Sequence, residues 1–159
     1  MKKIFTALTF ALCIIFSATA FAEEAEDIVA VATDSTNGNR WYMDSTDVTI
    51  EKNSGGELIC RANFVAIFSD EGKKEIISYY RTNGQDVPGL DSIAFCIETL
   101  HFREAGGKLY FAPTDMLVYN QNKESIKGLS YIDRAIEWQP INKGSLGEIM
   151  YQTARKYAK

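Results

Sequence analysis

"LICRANFVAIFS", residues 58–69, is the stretch whose reading decides the fold. Leu58, Cys60, Ala62, Phe64, Ala66 and Phe68 recur every second residue and are all apolar, so as a strand they share one face. The other face mixes Ile59, Arg61, Asn63, Val65 and Ile67. A period of two over this length predicts a sheet strand with a fully apolar side that another element must cover.

Outward from this strand, the same period continues. "DEGKK" (70–74) reads as a turn with charged shoulders, and "EIISYYRT" (75–82) as the return strand. Gly, Pro and Gly break the pattern in "NGQDVPGLD" (83–91). "SIAFCIETLHFRE" (92–104) admits a helical period. Its β-branched and aromatic content and the "AGGK" that follows favour a hairpin with "LYFAPTDMLVYN" (109–120). Pro113 in the second arm calls for an edge position, a bulge or a break. "LSYIDRAIEWQPI" (129–141) supplies one or two more strands. On the N-terminal side, "DIVAVAT" (27–33), "WYMD" (41–44) and "DVTIEK" (47–52) are short strands. "DSTNGNR" (34–40) and "NSGGE" (53–57) are turn-forming segments between them.

The chain closes on a helix, predicted over 145–158. In "SLGE", Ser145 accepts from the Glu148 N–H, and the Glu148 side chain reaches back to the Ser145 N–H, a capping box. Glu148 suits the positive end of the helix dipole, and Arg155, Lys156 and Lys159 suit the negative end. Leu146, Ile149, Met150, Thr153, Ala154 and Tyr157 form its apolar face. This helix is the expected cover of the sheet. The expected fold is therefore α+β, mostly β: a single antiparallel sheet of about six strands with a C-terminal helix packed against it.

The first 22 residues read as a cleaved signal peptide. "MKK" is the positive start, an apolar run follows, and "AFA" sets the cut between Ala22 and Glu23. Cys13 lies inside the apolar run after Leu12, so no lipid anchor is expected, and no transmembrane anchor remains after cleavage. Residues 23–159 make one domain, large enough to bury a core. That mature chain carries 15 basic against 21 acidic residues, a net charge of −6, and has no basic cluster. Nucleic acid is a poor partner for it. The expected location is outside the cytoplasm, in the periplasm or at the cell surface.

Cys60 and Cys96 are the cysteines left after cleavage. An even pair in an oxidising compartment points to one disulfide, contributing roughly 4 kcal/mol through loop closure. The alternative is two separately buried thiols in adjacent strands.

No catalytic, metal or cofactor site is assigned. His101 is the single histidine and falls within a strand, no Cys-x-x-Cys occurs, and no Gly-x-Ser-x-Gly or phosphate loop is present. "DSTNGNR" has its glycine one position too early for a calcium loop. Asp44 and Asp47 read as brackets of a strand start rather than an acid–base pair. Trp41, Trp138, Tyr79, Tyr80, Tyr110, Tyr119 and Tyr131 stud the strands, where they suit core packing or a binding face.

Three pieces together, "WYMDSTDVTI" (41–50), "SYIDRAIEWQPINKGSLGEIM" (130–150) and the strand-rich body between them, resemble the surface-adhesin protein E family of bacterial envelope proteins. The resemblance implies a sheet of about six strands covered by the C-terminal helix. It also implies a non-enzymatic role in contact with a host or cell-surface protein. Members are often lipid-anchored, a feature this sequence lacks, and no binding residue of the family is matched here. The rival expectation is a periplasmic binding or inhibitor module recognising an envelope protein or a small ligand.

Overall fold

The computed structural model describes residues 27–85 and 87–158, so the expected cleavage site at Ala22 and Glu23 lies outside the described residues. Seven strands form one antiparallel sheet: β1 (Ile28–Thr33), β2 (Arg40–Asp44), β3 (Thr49–Lys52), β4 (Leu58–Ile67), β5 (Ile93–Ala105), β6 (Lys108–Asn120) and β7 (Gln139–Pro140). Their order is β1-β2-β4-β5-β6-β7, and β3 also pairs with β4. β2 and β3 share one edge of β4: Arg40–Met43 lie opposite Ile67–Phe64, and Thr49–Lys52 opposite Arg61–Leu58. The expected single antiparallel sheet with a C-terminal helix is the observed fold.

The long hairpin of β5 and β6 turns on Gly106 and Gly107, both with positive φ (58° and 72°). Two positive φ values in succession match the twist of the flanking strands and need glycine. Register then shifts twice along the pair, between Ile93 and Phe95 and between Thr99 and Leu100. Thr99 faces Asp115, whereas Leu100 faces Pro113, leaving Thr114 as the extra residue of a bulge. Pro113, which has no N–H for a ladder, sits at that bulge.

Two helices cover the same sheet face. The second, α2 (Leu146–Tyr157), is the expected one. Ser145 caps it by accepting from the Glu148 N–H at 3.4 Å, and the Glu148 side chain accepts from Gly144 N rather than from Ser145 N. Its buried side is rotated from the expected stripe. Met150, Tyr151 and Ala154 are buried, while Ile149 and Tyr157 stand 40% exposed. The Tyr151 hydroxyl donates to Glu104 Oε1 and accepts from Arg155 Nη1, so an aromatic can turn inward there with its polar end paired.

The other helix, α1 (Asp70–Thr82), replaces the turn and return strand read from "DEGKK" and "EIISYYRT". Ser69 caps it, its Oγ accepting the Gly72 N–H at 3.0 Å, and Asp70 and Glu71 occupy the first turn. Ile76, Ile77 and Tyr80 turn toward the sheet at helical spacing. The partner of β4 is instead β5, matched from Ile59–Arg103 to Ile67–Phe95. Late strand signals in 129–141 reduce to β7 and a bridge between Tyr131 and Met116.

The core has three parts. Under α2 lie Cys60, Ala62, Phe64, Leu100 and Phe102; under α1 lie Ala66, Leu90, Ile93, Cys96 and Val118. The opposite sheet face carries Val65, Phe95, Ile97 and Tyr119, with the Phe95 and Tyr119 rings stacked at 4.9 Å. Cys60 and Cys96 are free, buried thiols, so the expected disulfide does not form. Register explains this: Cys60 faces Phe102 and Cys96 faces Ala66, six positions along the same ladder. At about 3.3 Å per residue the two are roughly 20 Å apart, beyond the reach of a disulfide.

Candidate functional site

β5 sends Cys96, Glu98, Leu100 and Phe102 to the helix-covered face by simple alternation. Three of these are core residues; the fourth is a carboxylic acid. Glu98 faces Phe64 on β4 and Met116 on β6, and so stands at the seam between the cluster under α1 and the cluster under α2. Trp41 on β2 packs against both clusters.

A cavity of about 430 Å³ opens at this seam. Its floor is sheet: Trp41, Cys96, Glu98, Met116 and Val118. Glu75, Ile76, Tyr79 and Tyr80 of α1 form its roof, and Asn39, Phe68 and Leu129 close its ends. Tyr79 is 65% exposed at the rim and meets Tyr80 edge-on, with ring centres 5.5 Å apart. The volume and the apolar lining with a few polar groups are those of small-molecule sites.

The roof is held in place from the β1–β2 loop. Asn39 Oδ1 accepts the Ser69 N–H at 2.9 Å, Ser69 Oγ donates to Asn37 O, and Asn37 Nδ2 donates to Glu75 Oε2 at 3.0 Å. "DSTNGNR", whose sequence reads as a turn, is therefore also the clamp on the first two turns of α1.

Among the described residues, no hydrogen bond or ion pair reaches the Glu98 carboxylate. Surrounding apolar atoms push its pKa up to about 7, because burial disfavours the charged form. Burial also drives the Cys96 thiol well above its ordinary value, and neighbouring Glu98 adds to this while a backbone hydrogen bond at Ala66 opposes it. Tyr131 is raised by burial and by Glu98, against the pull of Arg134. Trp41 Nε1 is buried without a hydrogen-bond partner among the described residues.

A thiol beside a carboxyl suggests nucleophilic chemistry, but here the thiol is held protonated, and a thiol is a poor nucleophile. His101 does not serve it. It faces Arg61 and Ala112 on the sheet face opposite the cavity. Burial and then Arg61 lower its pKa, while Asp115 and Glu51 pull the other way. Asp44 accepts from the N–H and the hydroxyl of Thr46, and Asp47 accepts from Asn63, so these two are turn and strand brackets. Among the described residues, no group of three or more His, Cys, Asp or Glu is placed to hold a metal ion, and no helix is long and apolar enough to cross a membrane.

Of the aromatics singled out from the sequence, Trp41, Tyr79 and Tyr80 meet at the cavity. Trp138 and Tyr110 instead flank Arg103, whose guanidinium carbon lies 4.6 Å and 5.2 Å from their ring centres. Glu98 and Glu75 were not legible as site residues. The available signal for Glu98 is one charge at an apolar-phase position of a long strand. Comparison with protein-family models, curated proteins and solved structures finds no match to this chain.

Proposed function

We infer that this chain is an exported, non-enzymatic binding domain of the cell envelope, and that it holds a small molecule in the cavity beneath α1. The observation that carries this reading is the cavity itself: about 430 Å³, walled by apolar and aromatic side chains, with the unpaired Glu98 carboxylate on its floor. A concave space between a helix and a sheet, lined by apolar and aromatic side chains with one carboxyl that has no protein partner among the described residues, is the form small-molecule sites take.

The resemblance to surface adhesin E supports the envelope setting. Adhesion through the helix-free sheet face calls for exposed aromatics there; on that face Phe95 is 0% and Tyr119 6% exposed, while Tyr42 and Tyr110 are half-buried. The most exposed large apolar side chains, Tyr79, Ile132 and Ile136, are on α1 and on the 121–138 segment, and Leu58, Ile149 and Tyr157 reach solvent on β4 and α2.

The test is a thermal-shift screen of residues 23–159 against a small-molecule library, run in parallel on Ile76→Trp, which places an indole in the cavity. Ligands that raise the melting temperature of the parent but not of the filled variant support the reading. Equal shifts in both proteins, or none in either, would sink it.

A further inference from the structure

The charge around the cavity is one-sided. Among the described residues, two carboxylates line it, Glu75 in the roof and Glu98 on the floor, and no lysine, arginine or histidine does. Their situations differ. Glu75 already accepts from Asn37 Nδ2 at 3.0 Å, whereas Glu98 accepts from nothing among the described residues. Four aromatic rings, Trp41, Phe68, Tyr79 and Tyr80, share the lining.

Each candidate class of ligand meets this wall differently. An anion would be brought beside two carboxylates with no cationic side chain to receive it, a like-charge contact in a poorly solvated space. A purely apolar molecule fills the volume but leaves Glu98 unpaired. A cation supplies the missing countercharge to Glu98, and the aromatic faces attract it further through their quadrupoles. The mature chain's net charge of −6 draws cations toward the molecule as a whole.

We propose that the cavity is a site for an organic cation, a compact amine whose ammonium pairs with Glu98 and whose apolar body lies between Ile76, Met116 and the aromatic rings. This rests on the small-molecule reading above and narrows it to one chemical class. A charge-assisted hydrogen bond contributes about 1.5–3 kcal/mol, which corresponds to at least a roughly ten-fold preference over a neutral analogue.

Titration calorimetry at about pH 8 on the mature chain, with three probes of one shape, separates the possibilities: 4-phenylbutylamine, 4-phenylbutanol and 4-phenylbutyrate. The amine is expected to bind at least ten-fold tighter than the alcohol, and the butyrate weakest. Glu98→Gln, nearly isosteric and checked for an intact melting transition, should remove the preference by weakening the amine about ten-fold while leaving the alcohol unchanged. Ile76→Trp should abolish binding of every probe that binds. If the alcohol or the butyrate matches the amine, or if Glu98→Gln leaves the amine unaffected, the cation assignment is overturned and the pocket reading survives. If no probe binds, or if binding persists in Ile76→Trp, both fail.

Discussion

The Cβ that Gly72 lacks would stand 2.0 Å from Asn39 Oδ1, the oxygen that accepts the Ser69 N–H at 2.9 Å. The first turn of α1 is thus pressed against the β1–β2 loop with no room for a methyl group. Alanine ordinarily stabilises a helix by about 1 kcal/mol over glycine. Here Gly72→Ala is expected to destabilise by about 1–3 kcal/mol, because the loop must move. In an Asn39→Ala background the same change should cost far less, a coupling readable in a double-mutant denaturation cycle. A stabilised Gly72→Ala would mean the contact is loose.

Burial holds both thiols in their protonated form: Cys60 by desolvation, against the pull of Arg155, and Cys96 more strongly. Labelling of a chain of residues 23–159 in denaturant without reductant should find two free thiols, and labelling of the same protein in its native state near pH 8 should find neither reactive. A denatured chain with no free thiol would contradict the β4–β5 register.

Glu98 has a pH signature of its own. Its pKa rises from 4.5 to about 7 on folding, so between those values the folded state holds a proton that the unfolded chain releases. Stability from this group is fully present below about pH 4.5 and is lost as pH climbs toward 7, by on the order of 3 kcal/mol. Other titratable groups near Glu98 are Cys96 and Tyr131, held neutral in this window, and Glu75 across the cavity. Glu98→Gln should therefore gain stability relative to the parent as pH rises from 5 to 8. A difference that stays constant across that range would place Glu98 in water.

At the other helix, Ser145→Ala removes the acceptor of the Glu148 N–H and should cost about 1 kcal/mol in a denaturant titration. The companion change Glu148→Gln keeps the acceptor for Gly144 N and should cost less, the difference coming from the lost charge at the helix start. An unchanged midpoint for Ser145→Ala would mean that α2 begins elsewhere.

Much of the sheet could be read from alternation alone. Cys60, Ala62, Phe64 and Ala66 do form the inner face of β4, and Gly106–Gly107 turns the long hairpin. α1 was hidden by the residue that makes its packing possible: Gly72 reads as a turn former, yet it is glycine because Asn39 occupies the space of its side chain. The cavity was hidden for a related reason. Glu98, Trp41 and Tyr80 belong to three separate segments, and only strand register and the placement of a helix bring them together. Cysteine spacing likewise carries no register, so it suggested a bridge that the ladder forbids.

The two sides of the sheet differ in what they leave open. Along the outer edge of β6, Ile126 N bonds Val118 O, Tyr131 and Met116 exchange both main-chain bonds, Arg134 N bonds Thr114 O, and β7 takes up Tyr110 and Phe111. That margin offers little template for another strand. On the far side, β1 and β3 have no further strand beside them among the described residues. The main-chain groups open to another strand are therefore confined to one side of the sheet, on β1 and β3.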